Sequence, residues 1–244
     1  MEYGVIIQAR TNSSRLKGKV LRNLKGKTVL EHEIERLQQA QEINGIIVAT
    51  TERPEDKEIV AIAQKCNAGY FCGSEEDVLS RYYYAAKKFQ VKHIIRITSD
   101  CPLIDPFIID EVVRCYKQKS VDIMTNVPNE LEAMTYPRGM DLEIFPYKWL
   151  EKAFFDAKDS YDREHVTPYI YDHADVRYYY RYEKDYSKYR LTLDTPEDWK
   201  VIEKIYDYFY KEGHNFYFKD ILQFMEEHPE VAELNREVQQ KLRH

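Results

Sequence analysis

The segment IIQARTNSSRLKGKVL, residues 6–21, sets Arg10, Arg15, Lys17 and Lys19 directly after a short, β-branched apolar run. Arginine grips phosphate oxygens two at a time, and lysine adds a mobile point charge. Backbone amides in a tight loop supply further donors. The chemistry on offer is polyphosphate binding, and the plain alternative is a solvated basic loop. Gly26-Lys27-Thr28 resembles the end of a nucleoside-triphosphate loop, but Leu21 stands where that motif needs its first glycine. No GxGxxG follows the first apolar run, which weakens a dinucleotide reading.

Carboxylates recur in the complementary pattern. Asp100 in RITSDCPLID and Asp194 in RLTLDTPEDW each follow a strand-like run. Two aspartates at strand ends facing a basic loop suit Mg2+, a hard cation that takes carboxylate, phosphate and water oxygens. Asp194 or Thr195 reads equally as the N-cap of a helix entered at Pro196, with Asp198 easing its first turn. TYPRGMDLEIF, residues 135–145, carries Arg138 on a turn, followed by Asp141 and Glu143, whose spacing points both to one face of a strand. They would bind metal or substrate, or face solvent. Arg163, Glu164 and His165 in DREHVTPYIY form an acceptor-pocket candidate or a surface network, and His165 is a candidate base at neutral pH.

The elements that must position these groups alternate. Val5–Ile7, 45–50, 68–71, 93–98 and 121–124 read as strands, and 29–37, 54–65, 75–89 and 105–116 read as helices. The alternation predicts an α/β fold with a mostly parallel central sheet, whose ligand crevice lies at the strand C-termini. Residues 142–145 and 177–182 read as strands outside the alternation. Residues 190–193 read as a strand returning to the main sheet, followed by a helix from 196 to about 210. From 219 onward two helices divide near Pro229. The expected organisation is an α/β domain over 1–210 with a small inserted subregion at about 126–190, for acceptor or dimer contacts. A helical extension over 211–244 completes it.

The chain's 244 residues carry a net charge of −6, yet residues 10–27 hold seven basic side chains and no acidic one. An acidic average argues against polymeric nucleic acid and leaves room for one nucleotide. Apolar runs fall short of a signal-peptide core or a membrane span, so a cytoplasmic protein without membrane insertion is expected. The four cysteines form no CxxC pair and read as reduced thiols.

Taken together, IIQARTNSSRLKGKVL, GSEEDVLSRYYYAA, RITSDCPLIDP, TYPRGMDLEIF, DREHVTPYI and LTLDTPEDW resemble the spore-coat polysaccharide biosynthesis protein F family, over about residues 4–205. This family lies within the cytidylyltransferase superfamily that includes sugar-acid activating enzymes. The resemblance implies a three-layer Rossmann-like nucleotidyltransferase fold. It implies that Arg10, Arg15 and Lys19 contact the phosphates of CTP, that Gln8 and Ala9 lie beside the base, and that Asp100 and Asp194 hold Mg2+. Lys17 replaces the proline usual in the basic loop, and GSEEDVLSRY replaces the base-recognition motif of the sugar-acid enzymes, with Ser74, Asp77 and Arg81 as equivalents. The implied reaction transfers CMP from CTP to a sugar acid or phosphorylated acceptor and releases pyrophosphate. Arg138, Asp141, Glu143, Arg163 and His165 are the acceptor-side candidates, and a homodimer is expected. The rivals are a glycosyltransferase using a nucleotide sugar, against which Asp100-Cys101-Pro102 lacks a DxD pair, and a non-catalytic nucleotide-binding protein.

Overall fold

In the computed structural model, residues 1–13, 15–128, 134–211 and 213–239 are described. Ser14 of the basic loop and residues 129–133 of the expected insertion lie outside them. The chain runs β1 (Tyr3–Gln8), β2 (Asn23–Leu24), β3 (Lys27–Thr28), α1 (Val29–Leu37), β4 (Gly45–Thr51), α2 (Lys57–Lys65), β5 (Gly69–Gly73), α3 (Val78–Lys88), β6 (His93–Thr98) and α4 (Pro106–Lys117). It continues β7 (Ile123–Thr125), β8 (Glu143–Pro146), α5 (Tyr147–Asp156), α6 (Ser160–His165), α7 (Pro168–His173), β9 (Arg177–Tyr179), α8 (Pro196–Phe209), α9 (Phe218–Glu227) and α10 (Pro229–Glu233).

Seven strands form one sheet in the order β5-β4-β1-β6-β8-β7-β9. β5, β4, β1 and β6 are parallel, and β8 pairs antiparallel with both β6 and β7. The central strands are apolar on both faces, as a doubly covered sheet requires. Val5, Ile7, Val48, Ile95 and Ile97 face the core under α1, α2, α4, α8 and α9. Ile6, Ile47, Ala49 and Ile94 face the core under α3, α5 and α7. The period of two along each strand therefore produces three layers. Phe216, Phe218, Ile221 and Phe224 join the first of these cores, so the C-terminal helices pack onto the main body.

Three local readings change. Residues 191–193 form no strand: Arg190 makes one isolated bridge to Arg138, while the Leu191 N–H donates to Arg138 O and the Leu193 N–H to Asp100 O. This segment's backbone bonds go to two loops, so it lies between them and never joins the sheet. α3 starts at Val78, because the Asp77 carboxylate accepts from the Ser80 N–H at 2.9 Å and caps the helix there. Asp141 and Glu143 do not share a strand face. Asp141 stays in the turn, accepting from the Gly139 N–H at 2.6 Å, and β8 starts only at Glu143. Among the described residues no helix is long and apolar enough to cross a membrane, and the four cysteines are unpaired.

Candidate active site

A cleft of about 220 Å³ opens at the C-terminal ends of β1 and β6. Four cations (Arg10, Arg15, Lys19, Arg81) and three carboxylates (Asp100, Glu164, Asp194) line it, with Gln8, Ala9, Ser13, Val78, Thr98, Ser99 and His165.

The basic loop is shaped before any ligand arrives. Asp56 accepts from both the N–H and the hydroxyl of Thr11, at 2.8 and 2.7 Å. The Gly18 N–H donates back to Thr11 O at 2.9 Å, closing the loop. Gly18 sits at φ +67, a left-handed conformation that favours glycine, and starts a 3-10 turn (Lys19–Leu21) that aims Lys19 inward. Lys17 is exposed, away from the cleft lining.

Lys19 joins the two aspartates. Its Nζ lies 3.0 Å from Asp100 Oδ2 and 2.8 Å from Asp194 Oδ1, while Arg15 Nη2 lies 2.6 Å from Asp194 Oδ2. Burial alone would raise the Asp100 carboxyl, but the Lys19 ammonium and the Thr98 hydroxyl at 2.6 Å outweigh it and hold it down at about 2. Burial would likewise lower Lys19, and the two aspartates reverse that and raise it. Asp100 is thus ionised at neutral pH, and both carboxylates converge on one cation. Buried ion clusters are poor evidence of stability but good evidence of preorganised charge.

Asp194 is held by its neighbours rather than acting as a cap. Thr195 is the N-cap of α8, accepting from the Asp198 N–H at 3.3 Å. Asp198, fully buried, accepts from the N–H groups of Asp194 and Thr195 at 2.9 and 3.0 Å. Arg190 Nε and Asn235 Nδ2 each reach Asp198 Oδ1 at 2.9 Å. The Asp194 carboxylate is left pointing into the cleft. Gly139 permits this arrangement: at φ +103, a Cβ there would overlap the Leu191 carbonyl and the Thr192 nitrogen. Arg190, Asn235 and Arg96 were not singled out by the sequence, although Arg190, Asp194 and Asp198 recur at spacings of four.

The other sequence candidates are placed as follows. Gln8, Ala9, Arg81 and His165 line the cleft. Gln8 Oε1 accepts from Arg96 at 3.2 Å, and Arg96 in turn pairs with Glu143 at 2.5 Å. Glu143 also accepts from the Thr167 hydroxyl at 3.0 Å. Ser74, Asp77, Arg138, Asp141, Glu143 and Arg163 are not among the residues that line the cleft. Ser74 accepts from the Asp77 N–H, Arg163 pairs with Asp77, and Arg138 pairs with Asp141 at 3.2 Å. Burial raises the Asp141 carboxyl despite that arginine.

A cytidylyltransferase family model matches residues 4–227. The chain belongs to the cytidylyltransferase family. It is 38% identical over 240 residues to an uncharacterized protein of Methanocaldococcus jannaschii, covering 97% of this chain and 95% of that one. It is 31% identical over 211 residues to the spore coat polysaccharide biosynthesis protein SpsF of Bacillus subtilis, covering 82% and 85%. The solved structure of a cytidylyltransferase from Leptospira borgpetersenii superposes over 100% of both chains, with a TM-score of 0.88 and 34% identity. As a family member the chain carries the Rossmann-like nucleotidyltransferase fold, with the cleft at the edge where such sheets bind ligands.

Proposed function

We propose that the chain transfers CMP from CTP to a sugar acid or a related anionic small-molecule acceptor, releasing pyrophosphate. The observation that carries this is the convergence of Asp100 and Asp194 on Lys19, beside Arg10 and Arg15 at one sheet edge.

The donor set fits Mg2+. Two carboxylates face the same small space, and the Lys19 ammonium between them stands in for a cation. Asp100 and Asp194 would hold the ion, which when bound neutralises phosphate charge and polarises a phosphoryl oxygen. Lys19, drawn off the aspartates by a polyphosphate, pairs with the phosphates, and Arg10 and Arg15 take the charge that collects on departing pyrophosphate. An acceptor oxygen attacks the α-phosphorus; the new P–O bond forms as the α–β bridging bond breaks, and pyrophosphate carries off the electron pair.

Arg81 gives the base a partner. It is 2% exposed at the cleft wall, and its Nε and Nη1 have no hydrogen-bond partner among the described residues. Burying unclaimed donors is costly, so an acceptor edge, such as the carbonyl and ring nitrogen of cytosine, would be selected there. Gln8 and Ala9 flank the same wall. His165 and Glu164 face the acceptor side, and a hydroxyl acceptor would give its proton to His165. Arg138, Asp141, Glu143 and Arg163 brace that side from behind. A second copy of the chain would be sought at α3 and α5, where Tyr84 and Phe155 are exposed beside the stacked Tyr83–Phe154 pair.

A pyrophosphate-release screen tests the reading, crossing the four nucleoside triphosphates with sugar acids and phosphorylated acceptors, with and without Mg2+. CTP with an anionic acceptor should release pyrophosphate only when Mg2+ is present. Sugar transfer from a nucleotide sugar without pyrophosphate would replace this reading with a glycosyltransferase.

A further inference from the structure

A second polar cluster lies away from the cleft, among residues that do not line it. His32 and Glu35 stand one turn apart on α1, and His214 lies in the segment between α8 and α9. His32 Nδ1 lies 3.1 Å from His214 Nε2, and His214 Nε2 lies 3.2 Å from Glu35 Oε2. One ligand atom from each of the three residues falls within 4.8 Å of the others.

Protons are scarce in this cluster. His32 Nε2 faces the Leu24 carbonyl at 2.6 Å, and a carbonyl only accepts, so His32 carries its proton there and aims a lone pair from Nδ1 at His214. Glu35 Oε2 is a second acceptor on the same His214 nitrogen. His214 is 6% exposed, and its other ring nitrogen, Nδ1, is buried without a partner among the described residues. One shared proton must therefore serve two acceptors.

The geometry matches a different occupant. Zinc–nitrogen bonds of about 2.0–2.1 Å at tetrahedral angles put neighbouring ligand atoms roughly 3.3 Å apart. The two nitrogen–nitrogen and nitrogen–oxygen edges here are 3.1 and 3.2 Å. The Leu24 carbonyl already makes the outer contact that ligating histidines require. The His32 ring is wedged against Tyr206 and Tyr210, with centroids at 4.6 and 4.8 Å, so its aim is set by packing. Lys27 is the local competitor, pairing with Glu35 Oε1 and Oε2 at 2.6 and 2.8 Å. Its side chain is 38% exposed and free to keep only the outer oxygen.

We propose that His32, Glu35 and His214 bind one divalent cation of the zinc class, with water as the fourth ligand on the half-exposed Glu35 side. Two imidazoles and one carboxylate select zinc over the oxygen-seeking Mg2+ of the cleft. The ion ties the segment ahead of α9 to α1, and so fastens the C-terminal helices to the main body.

Metal content tests this without reference to turnover. Full-length protein is stripped with chelator, loaded with ZnCl2 in Mg2+-containing buffer, desalted and analysed by elemental mass spectrometry. Wild type and Asp194→Asn should each retain one zinc per chain. Glu35→Gln, which alters only the half-exposed ligand, should bind zinc at least ~10-fold more weakly, and His214→Ala should retain none. Zinc should raise the Tm of wild type and Asp194→Asn but not of Glu35→Gln. Cobalt loading should give the intense visible bands of a tetrahedral site, lost in Glu35→Gln. Absence of zinc from wild type overturns the proposal. Equal zinc in wild type and Glu35→Gln, or its loss in Asp194→Asn alone, also overturns it.

Discussion

Lys19 Nζ lies 2.8 Å from Asp194 Oδ1, closing a contact between residues 175 positions apart. The same ammonium reaches Asp100, so one side chain from the basic loop holds together an aspartate after β6 and an aspartate just before α8.

Removing that ammonium should affect both chemistry and acid stability. Lys19→Met should lower kcat/KM for pyrophosphate release by roughly 100- to 1,000-fold, the range for loss of one preorganised charge partner. Asp100, at about 2 in the folded protein against 3.8 ordinarily, contributes stability that is present above pH 3.8 and lost as pH falls toward 2. Lys19→Met should flatten that acid limb in pH-dependent urea melts. An unchanged limb would show that Lys19 does not hold Asp100 down.

The aspartates themselves are separable from the fold. Asp100→Asn and Asp194→Asn keep size and shape, so far-UV circular dichroism should be preserved. Mg2+-dependent pyrophosphate release should drop by about 100-fold or more. Turnover at the wild-type rate in either variant would remove that residue from the site.

Asp198 works through Asp194. Asp198→Ala removes the buried acceptor of two backbone N–H groups and one of the two carboxylates that hold Arg190. The expected cost is about 3–5 kcal/mol, a Tm decrease of roughly 6–20 °C. Asn235→Ala, removing one donor to the same carboxylate, should cost about 1 kcal/mol. Calorimetry checks the order of the two.

Gly139→Ala tests the close approach of two loops. The added methyl meets the backbone of residues 191 and 192 in a left-handed conformation, so roughly 1–3 kcal/mol of stability should go. Turnover should fall as well, because the displaced segment carries Asp194. Wild-type Tm and turnover together would show that the loops can part freely.

Glu33 is a fully buried carboxyl on α1. Burial first, and the charge of Asp100 second, push it well above its ordinary 4.5. A carboxyl raised on folding costs stability as pH rises above the unfolded value. Glu33→Gln should therefore melt higher than wild type at pH 8 and match it near pH 4. The reverse trend would mean that Glu33 is ionised and paired.

Much of this was legible along the chain because it rests on local rules. Short continuous apolar runs and period-3.6 helices announced the α/β layering, since a strand buried on both faces is apolar at every position and a helix on one face only. The basic cluster after β1 and the aspartates after β6 and before α8 could be read because strand ends at one sheet edge are neighbours by topology. The segment 190–193 was misread for the same reason: its alternation looks like a strand, and only the loops at Arg138 and Asp100 decide where its hydrogen bonds go. Thr195 rather than Asp194 caps α8, because buried Asp198, itself held by Arg190, accepts the N–H groups of Asp194 and Thr195.

Residue types, order and the charge asymmetry of the first 27 positions were thus determined by the sequence alone. The tertiary structure decided which charges meet. It set Lys19 between two aspartates, left Arg81 with unclaimed donors, and brought His214 to His32 across 182 positions. Coulombic and hydrogen-bond energies depend on separations of a few ångströms, and for residues far apart in the chain those separations exist only once the core has packed.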